Sequence, residues 1–208
     1  MTLTQDQLDE LWDFADAPAS ERRFAAAAAS AVAGDRAEFE TQRARALGLQ
    51  ERFDDADAAL DAVVAGSAAA RVRVALERGR VRNSAGDAGA AIPFFRTAAE
   101  DAASAGLLFL RVDALHMLAI ADAANAAAWT AEALAALDGT DDPRTLRWRV
   151  GLHNNAGWAR LDAGDPDAAL LEFTASRDAA VRWGTPQQVA WADEAIAEAR
   201  AAQSRPIE

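Results

Sequence analysis

Few side chains in this sequence are of a type and spacing that could do chemistry. Asp113 and His116 stand three residues apart, which brings two side chains to one face of a helix, and His153 follows 37 residues later. One carboxylate and two imidazoles form a ligand set for zinc, with a fourth position left for water. Both histidines suit inter-helix positions equally well, bonded to neighbouring carbonyls, and that packing role is the expectation. The acidic pairs Asp54-Asp55 and Asp141-Asp142 could supply the two carboxylates of a glycosidase. Each pair instead precedes an apolar helical run, so helix capping and a solvated loop explain them. No cysteine occurs, which excludes thiolate metal sites, cysteine catalysis and disulfides. Phosphate-binding glycine loops, nucleophile elbows and HExxH motifs are missing as well. The chain is therefore expected to need no cofactor and no metal, to be no enzyme, and to act by binding.

Charge narrows the partner. The 208 residues carry a formal charge of −12, and all 21 basic residues are arginine. Such a chain repels phosphate backbones, so nucleic acid is not the expected partner. No run of 18 apolar residues is present, so no membrane span is expected. Glu21-Arg22-Arg23-Phe24 followed by an alanine run imitates a secretory signal. About twenty acidic and amphipathic residues precede it and its core is only weakly apolar, so a packed helix is expected there and the protein is placed in the cytoplasm.

Whatever binds must be positioned by helices. Half of the residues are hydrophobic, mostly alanine, the strongest helix former, with only 12 glycines and 6 prolines. Stop and start signals divide the chain into about eleven helices. Thr4 caps a first helix through Leu8, Leu11, Trp12 and Phe14, and Pro18 opens a second to about Val32. Helices then run over about 36–50, 54–64, 68–84, 88–104, 107–121 and 124–137. Asp142-Pro143 starts one that reaches Ala163; the next ends at Arg182, and Thr185-Pro186 opens the last, to about Gln203. Pro93, inside the sixth helix, predicts a late start or a kink.

The stretch from Val150 to Val181 is a helical hairpin turned by Gly164-Asp165-Pro166, and one hairpin cannot bury its own apolar face. The pattern recurs. Counting Val150 as position 1, Gly157, Ala169, Phe173 and Ser176 are positions 8, 20, 24 and 27. A start at Val72 places Gly79, Ala91, Phe95 and Ala98 there, with Gly86-Asp87 at the turn. Starts at Ala37 and Leu107 give Ala44, Ala56, Leu60 and Val63, then Ala114, Ala126, Thr130 and Ala133.

These small, small, large and small residues at fixed positions resemble the tetratricopeptide repeat, and the strings LHNNAGW, DALHML and LERGR look like those of bacterial members. The resemblance covers four repeats, 37–71, 72–106, 107–149 and 150–185, after a degenerate helix pair (1–36) and before a capping helix (186–203). It implies one all-α domain over 1–208, a right-handed α-solenoid of antiparallel hairpins. Position 7 departs from the pattern, with Arg43, Arg78 and Asp113 where the family is usually apolar. Arg78 with Asp113 is the expected pair across adjacent repeats, since an unpaired buried charge is costly.

In this family the first helix of each repeat lines a concave groove with positions 2, 5, 9 and 12. Carried over, these positions give Thr41 and Arg45, then Arg73, Leu76, Arg80 and Asn83. The third repeat adds Leu108, Arg111, Leu115 and Leu118, and the fourth Asn154, Trp158 and Leu161. Helical geometry alone also puts Arg73 and Arg80 within about 20° of each other. Of the six tryptophans only Trp158 is expected outside the core. The resemblance implies an adaptor that binds an extended peptide or protein segment, and the arginines point to acidic or carboxylate groups on it. Two alternatives are a self-associating scaffold, for which a homodimer is expected, and the sensor half of a peptide-responsive regulator. The C-terminal carboxylate clamp of some family members is not matched.

Overall fold

The computed structural model describes residues 3–204, and every element among them is helical. The α-helices are α1 (Gln5–Asp9), α2 (Ala17–Ser30), α3 (Ala33–Gly48), α4 (Phe53–Asp61), α5 (Ala68–Ser84) and α6 (Ala88–Ser104). They continue as α7 (Leu108–Ala121), α8 (Ala126–Ala136), α9 (Pro143–Leu146), α10 (Trp148–Asp162), α11 (Pro166–Trp183) and α12 (Pro186–Gln203). Two compact units result, 1–126 and 127–208. Their boundary falls at the start of α8, the second helix of the hairpin that the repeat alignment counts third. That hairpin also has the weakest key residues, Ala114 and Thr130 in place of a glycine and an aromatic ring.

The closest helix approaches follow the glycines. A Cβ at Gly79 on α5 would overlap the Phe95 ring on α6, and one at Gly157 on α10 would overlap the Phe173 ring on α11. Both rings are fully buried. Such contact needs a residue without a side chain on one helix and a flat one on the other. Unit 1 continues through α2 against α3 and α3 against α4 and α5; α7 packs on α6 and α5. In unit 2, α11 packs against both α10 and α12, with Ala169 and Phe173 meeting Ala195, Ile196 and Ala199 of α12.

The turns from α3 to α4, α5 to α6 and α10 to α11 share one local device, which also ends α6 at Gly106 (φ +68°). At Gly86 (φ +87°) and Gly164 (φ +77°) the next residue's N–H bonds back to Arg82 O and Arg160 O, closing the last helical turn. The same pair of bonds ends α3, where the left-handed residue is Glu51 (φ 59°). A β-carbon in that region is strained, so Glu51→Gly should raise stability by roughly 0.5–1 kcal/mol. A urea midpoint unchanged or lowered in that variant would contradict this reading of the turn.

Three expectations are corrected. The first helix ends at Asp9 instead of continuing through Phe14: Trp12 and Phe14 stack with their centroids 4.8 Å apart, and Ser20 Oγ accepts from Asp13 N. Helix α6 starts on time at Ala88, capped by Asp87, and Pro93 is accommodated on its exposed face, where the Gly89 carbonyl that loses its partner also lies exposed. The helix expected from Pro143 to Ala163 is broken at Arg147, whose Nε donates to Gln188 Oε1 and whose carbonyl takes the tighter bond from Val150 N.

Candidate functional site

In unit 1 the expected groove positions lie inside the fold. Thr41 is buried on α3, and Leu76 on α5 and Leu115 on α7 are core residues. Arg73 is also buried, with Nε donating to Glu38 at 3.0 Å and a second nitrogen to Gln5 of α1 at 2.8 Å. Arg80 donates to Glu77 on its own helix and to Asp113 on α7. Arg45 lies over the rings of Trp12 and Phe14, at 5.4 and 5.5 Å from their centroids. Trp12 Nε1 donates to Gln42 Oε1. Segment 5–14 thus occupies the side of α3 and α5 on which the groove residues were placed. Asn83 and Arg111 are half-buried.

Asp113 therefore pairs with Arg80. The expected partner, Arg78, faces the other way and bridges Asp57 and Asp61 of α4, while Arg82 joins Asp57. Arg78 and Arg80 are two residues apart, about 200° around the helix, so only packing could decide between them. Burial opposes the charge on Asp113, but the Arg80 and Arg45 guanidiniums and the hydrogen bond from Arg80 outweigh it and hold the carboxyl below its usual range. Arg80 is likewise desolvated, and the charges and hydrogen bonds of Asp113 and Glu77 more than compensate and raise its pKa. For Arg45 burial dominates, the Arg80 charge adds to it, and its pKa falls.

His116, one turn after Asp113, is lowered. Burial is the largest cause; Asp113 opposes it, and Arg80 and Arg45 reinforce it. A histidine with a lowered folded pKa contributes full stability above its ordinary value of about 6.5, and that contribution is lost as pH falls from there toward the folded pKa. The urea midpoint should therefore drop between pH 7.5 and 5.5, and the drop should shrink in His116→Gln. Equal drops in the two proteins would contradict the assignment.

Unit 2 is different. Between α10 and α12 an open cleft of about 440 Å³ is walled by Gly151, Asn154 and Trp158 on one side and by Trp191, Glu194 and Glu198 on the other. Helix α11 lies between the walls, and its Ser176 Oγ donates to Val150 O at 2.9 Å. Trp158, 36% exposed, is anchored edge-on against Phe173 with centroids 5.1 Å apart. Trp191 is 57% exposed. Of the three groove residues expected in this unit, Asn154 and Trp158 line the cleft, whereas Leu161 packs against the Ala169 and Phe173 core.

Trp191 was not expected there, being assigned to packing under the cap. A signal for it was in the sequence: Trp191, Glu194 and Glu198 fall within about 60° of one another around α12, which sets an aromatic residue beside two acids. The residues weighed for metal or acid–base chemistry are dispersed. His153 Nδ1 lies 2.8 Å from Glu172 Oε2, and among the described residues no three His, Cys, Asp or Glu side chains form a group suited to a metal ion. Asp142 caps α9, and Asp54 is an exposed first-turn residue of α4.

No family model matches the chain, and no curated protein matches it significantly. Among solved structures, the crystal structure of BtubC (BKLC) from P. vanneervenii superposes with a TM-score of 0.56, over 97% of this chain and 94% of that one, at 16% identity. At that identity the likeness is one of fold. No helix among the described residues is long and apolar enough to cross a membrane.

Proposed function

We propose that the chain is a non-enzymatic binding protein of the tetratricopeptide-repeat type, an α-solenoid adaptor that docks an extended peptide or protein segment in the cleft between α10 and α12. The observation that carries this is the place of Asn154 and Trp158. The repeat register assigns both to a ligand-binding surface, and both line an open cleft with an exposed indole and an amide that makes no hydrogen bond among the described residues. An amide so placed can bond a peptide backbone, and an indole can cover an apolar side chain.

The repeat assignment draws support from spacing. Glu51, Gly86 and Gly164 take the same left-handed turn, 35 and 78 residues apart, and Gly79 with Phe95 repeats as Gly157 with Phe173 at the same offset of 78. In unit 1 segment 5–14 packs on the equivalent face, where Arg73 and Arg80 are ion-paired and Arg45 lies over Trp12 and Phe14, so the docking surface is assigned to unit 2.

A displayed library of random nonapeptides tests the reading. Selection on the wild type should enrich sequences that an Asn154→Ala, Trp158→Ala variant of unchanged melting temperature does not retain. Failure to enrich any sequence, or equal retention by the variant, would contradict it.

A further inference from the structure

We infer that the cleft in unit 2 selects basic segments, taking an arginine or lysine side chain between its two tryptophans; this rests on the docking reading above and adds its charge class. Among the described residues, the only charged ones lining the cleft are Glu194 and Glu198. They stand one turn apart on α12, where like charges repel and destabilise a helix. Their neighbour on the same helix, Asp193, has a basic partner, Arg177 at 2.5 Å. Among the described residues, neither Glu194 nor Glu198 has an ion pair or hydrogen bond. A cation brought by a partner would relieve that repulsion.

The aromatic groups agree in chemistry. Trp191 shares a helix face with the two glutamates, and Trp158 stands on the opposite wall. Indole faces attract guanidinium and ammonium groups, most strongly where water is partly excluded, and the apolar stem of either side chain can lie along the ring. An open cleft of about 440 Å³ has room for one long side chain and adjoining backbone. The formal charge of −12 steers basic partners toward the molecule and slows acidic ones. None of the arginines that first pointed to an acidic ligand lines this cleft, and Arg73 is neutralised by Glu38 and Arg80 by Glu77 and Asp113.

Three blocked nonapeptides test this, sharing a leucine and alanine framework and carrying arginine, citrulline or glutamate at two positions. Isothermal titration with the full chain should show binding of the arginine peptide, weaker binding of the citrulline peptide and none of the glutamate peptide. Glu194→Gln with Glu198→Gln should weaken the arginine peptide about tenfold or more and flatten its salt dependence. Asp162→Asn, an exposed acid at the end of α10 outside the cleft, should leave its affinity unchanged. Tighter binding of the glutamate peptide, or an arginine peptide indifferent to the double glutamine variant, would overturn the charge class. If such binding is still lost in Trp158→Ala and in Trp191→Ala, peptide docking stands and only its charge falls. Binding of none of the three would count against both.

Discussion

Asp113→Asn is expected to destabilise the protein by about 3 kcal/mol at pH 7, measured by urea unfolding. The Arg80 and Asp113 side chains are only 13% and 6% exposed and belong to different helices, α5 and α7. Removing one partner of a buried pair leaves a desolvated charge, which costs roughly 3–5 kcal/mol. The lower end applies because Arg80 keeps Glu77, itself 2% exposed. Arg45 makes the loss worse, since its charge also faces Asp113 and Arg80. Introducing Arg80→Met into the Asp113→Asn background should deepen the loss, because Glu77, 2% exposed, then loses the guanidinium it pairs with. Because the folded pKa of Asp113 is depressed, its contribution is present above the ordinary carboxylate value and disappears as pH falls through the folded one. The cost of Asp113→Asn should thus vanish in acid. A cost under about 0.5 kcal/mol at pH 7, the usual range for surface changes, would show that the pair does not hold α5 to α7.

Gly157→Ala should lower stability even though alanine is the better helix former. Propensity alone favours alanine by about 1 kcal/mol in a helix interior. The added methyl would overlap the buried Phe173 ring, and overpacking of that kind costs typically ~1–3 kcal/mol beyond what propensity returns. For a unit of this size each kcal/mol lowers Tm by roughly 4–8 °C. Gly79→Ala should behave alike against Phe95, while at Gly48 a methyl meets only Val81 Cγ2 at 3.8 Å, so Gly48→Ala should be neutral or mildly stabilising. Phe173→Leu added to Gly157→Ala should restore part of the loss by vacating the ring plane. Equal Tm values for Gly157→Ala and Gly48→Ala would remove the packing basis of the hairpin register.

These two effects differ in how far the sequence displays them. The glycine and phenylalanine pairs are legible because each needs an unusual residue at a fixed offset, and an alanine-rich background makes such residues conspicuous. The turns at Gly86 and Gly164 are legible for the same reason, whereas Glu51 hides an identical turn behind a residue that does not advertise it. Pairing was less legible. Position 7 presents Arg78 toward Asp113 on paper, and rotation by two residues hands Asp113 to Arg80 instead. The apolar pattern of Leu8, Leu11, Trp12 and Phe14 was read as a helix face, but Leu8 is fully buried while Trp12 and Phe14 serve as a platform for Arg45. Local periodicity cannot separate a residue that packs from one helix from a residue that stacks under a distant arginine. In unit 2 Asn154 and Trp158, named from the repeat resemblance, lie on one wall of the cleft. The resemblance missed the opposite wall because a capping helix was expected to be polar and passive.

The measurement closest to the docking reading is the indole N–H spectrum of the protein during titration with the peptide most enriched by selection. The six tryptophans give separate indole signals, assigned by single substitution. Saturable shifts at Trp158 and Trp191, with Trp12 and Trp183 unmoved, are the predicted result, since only the first pair lines the cleft. Saturable shifts at Trp12 with none at Trp158 or Trp191 would place the ligand on unit 1 and contradict the assignment.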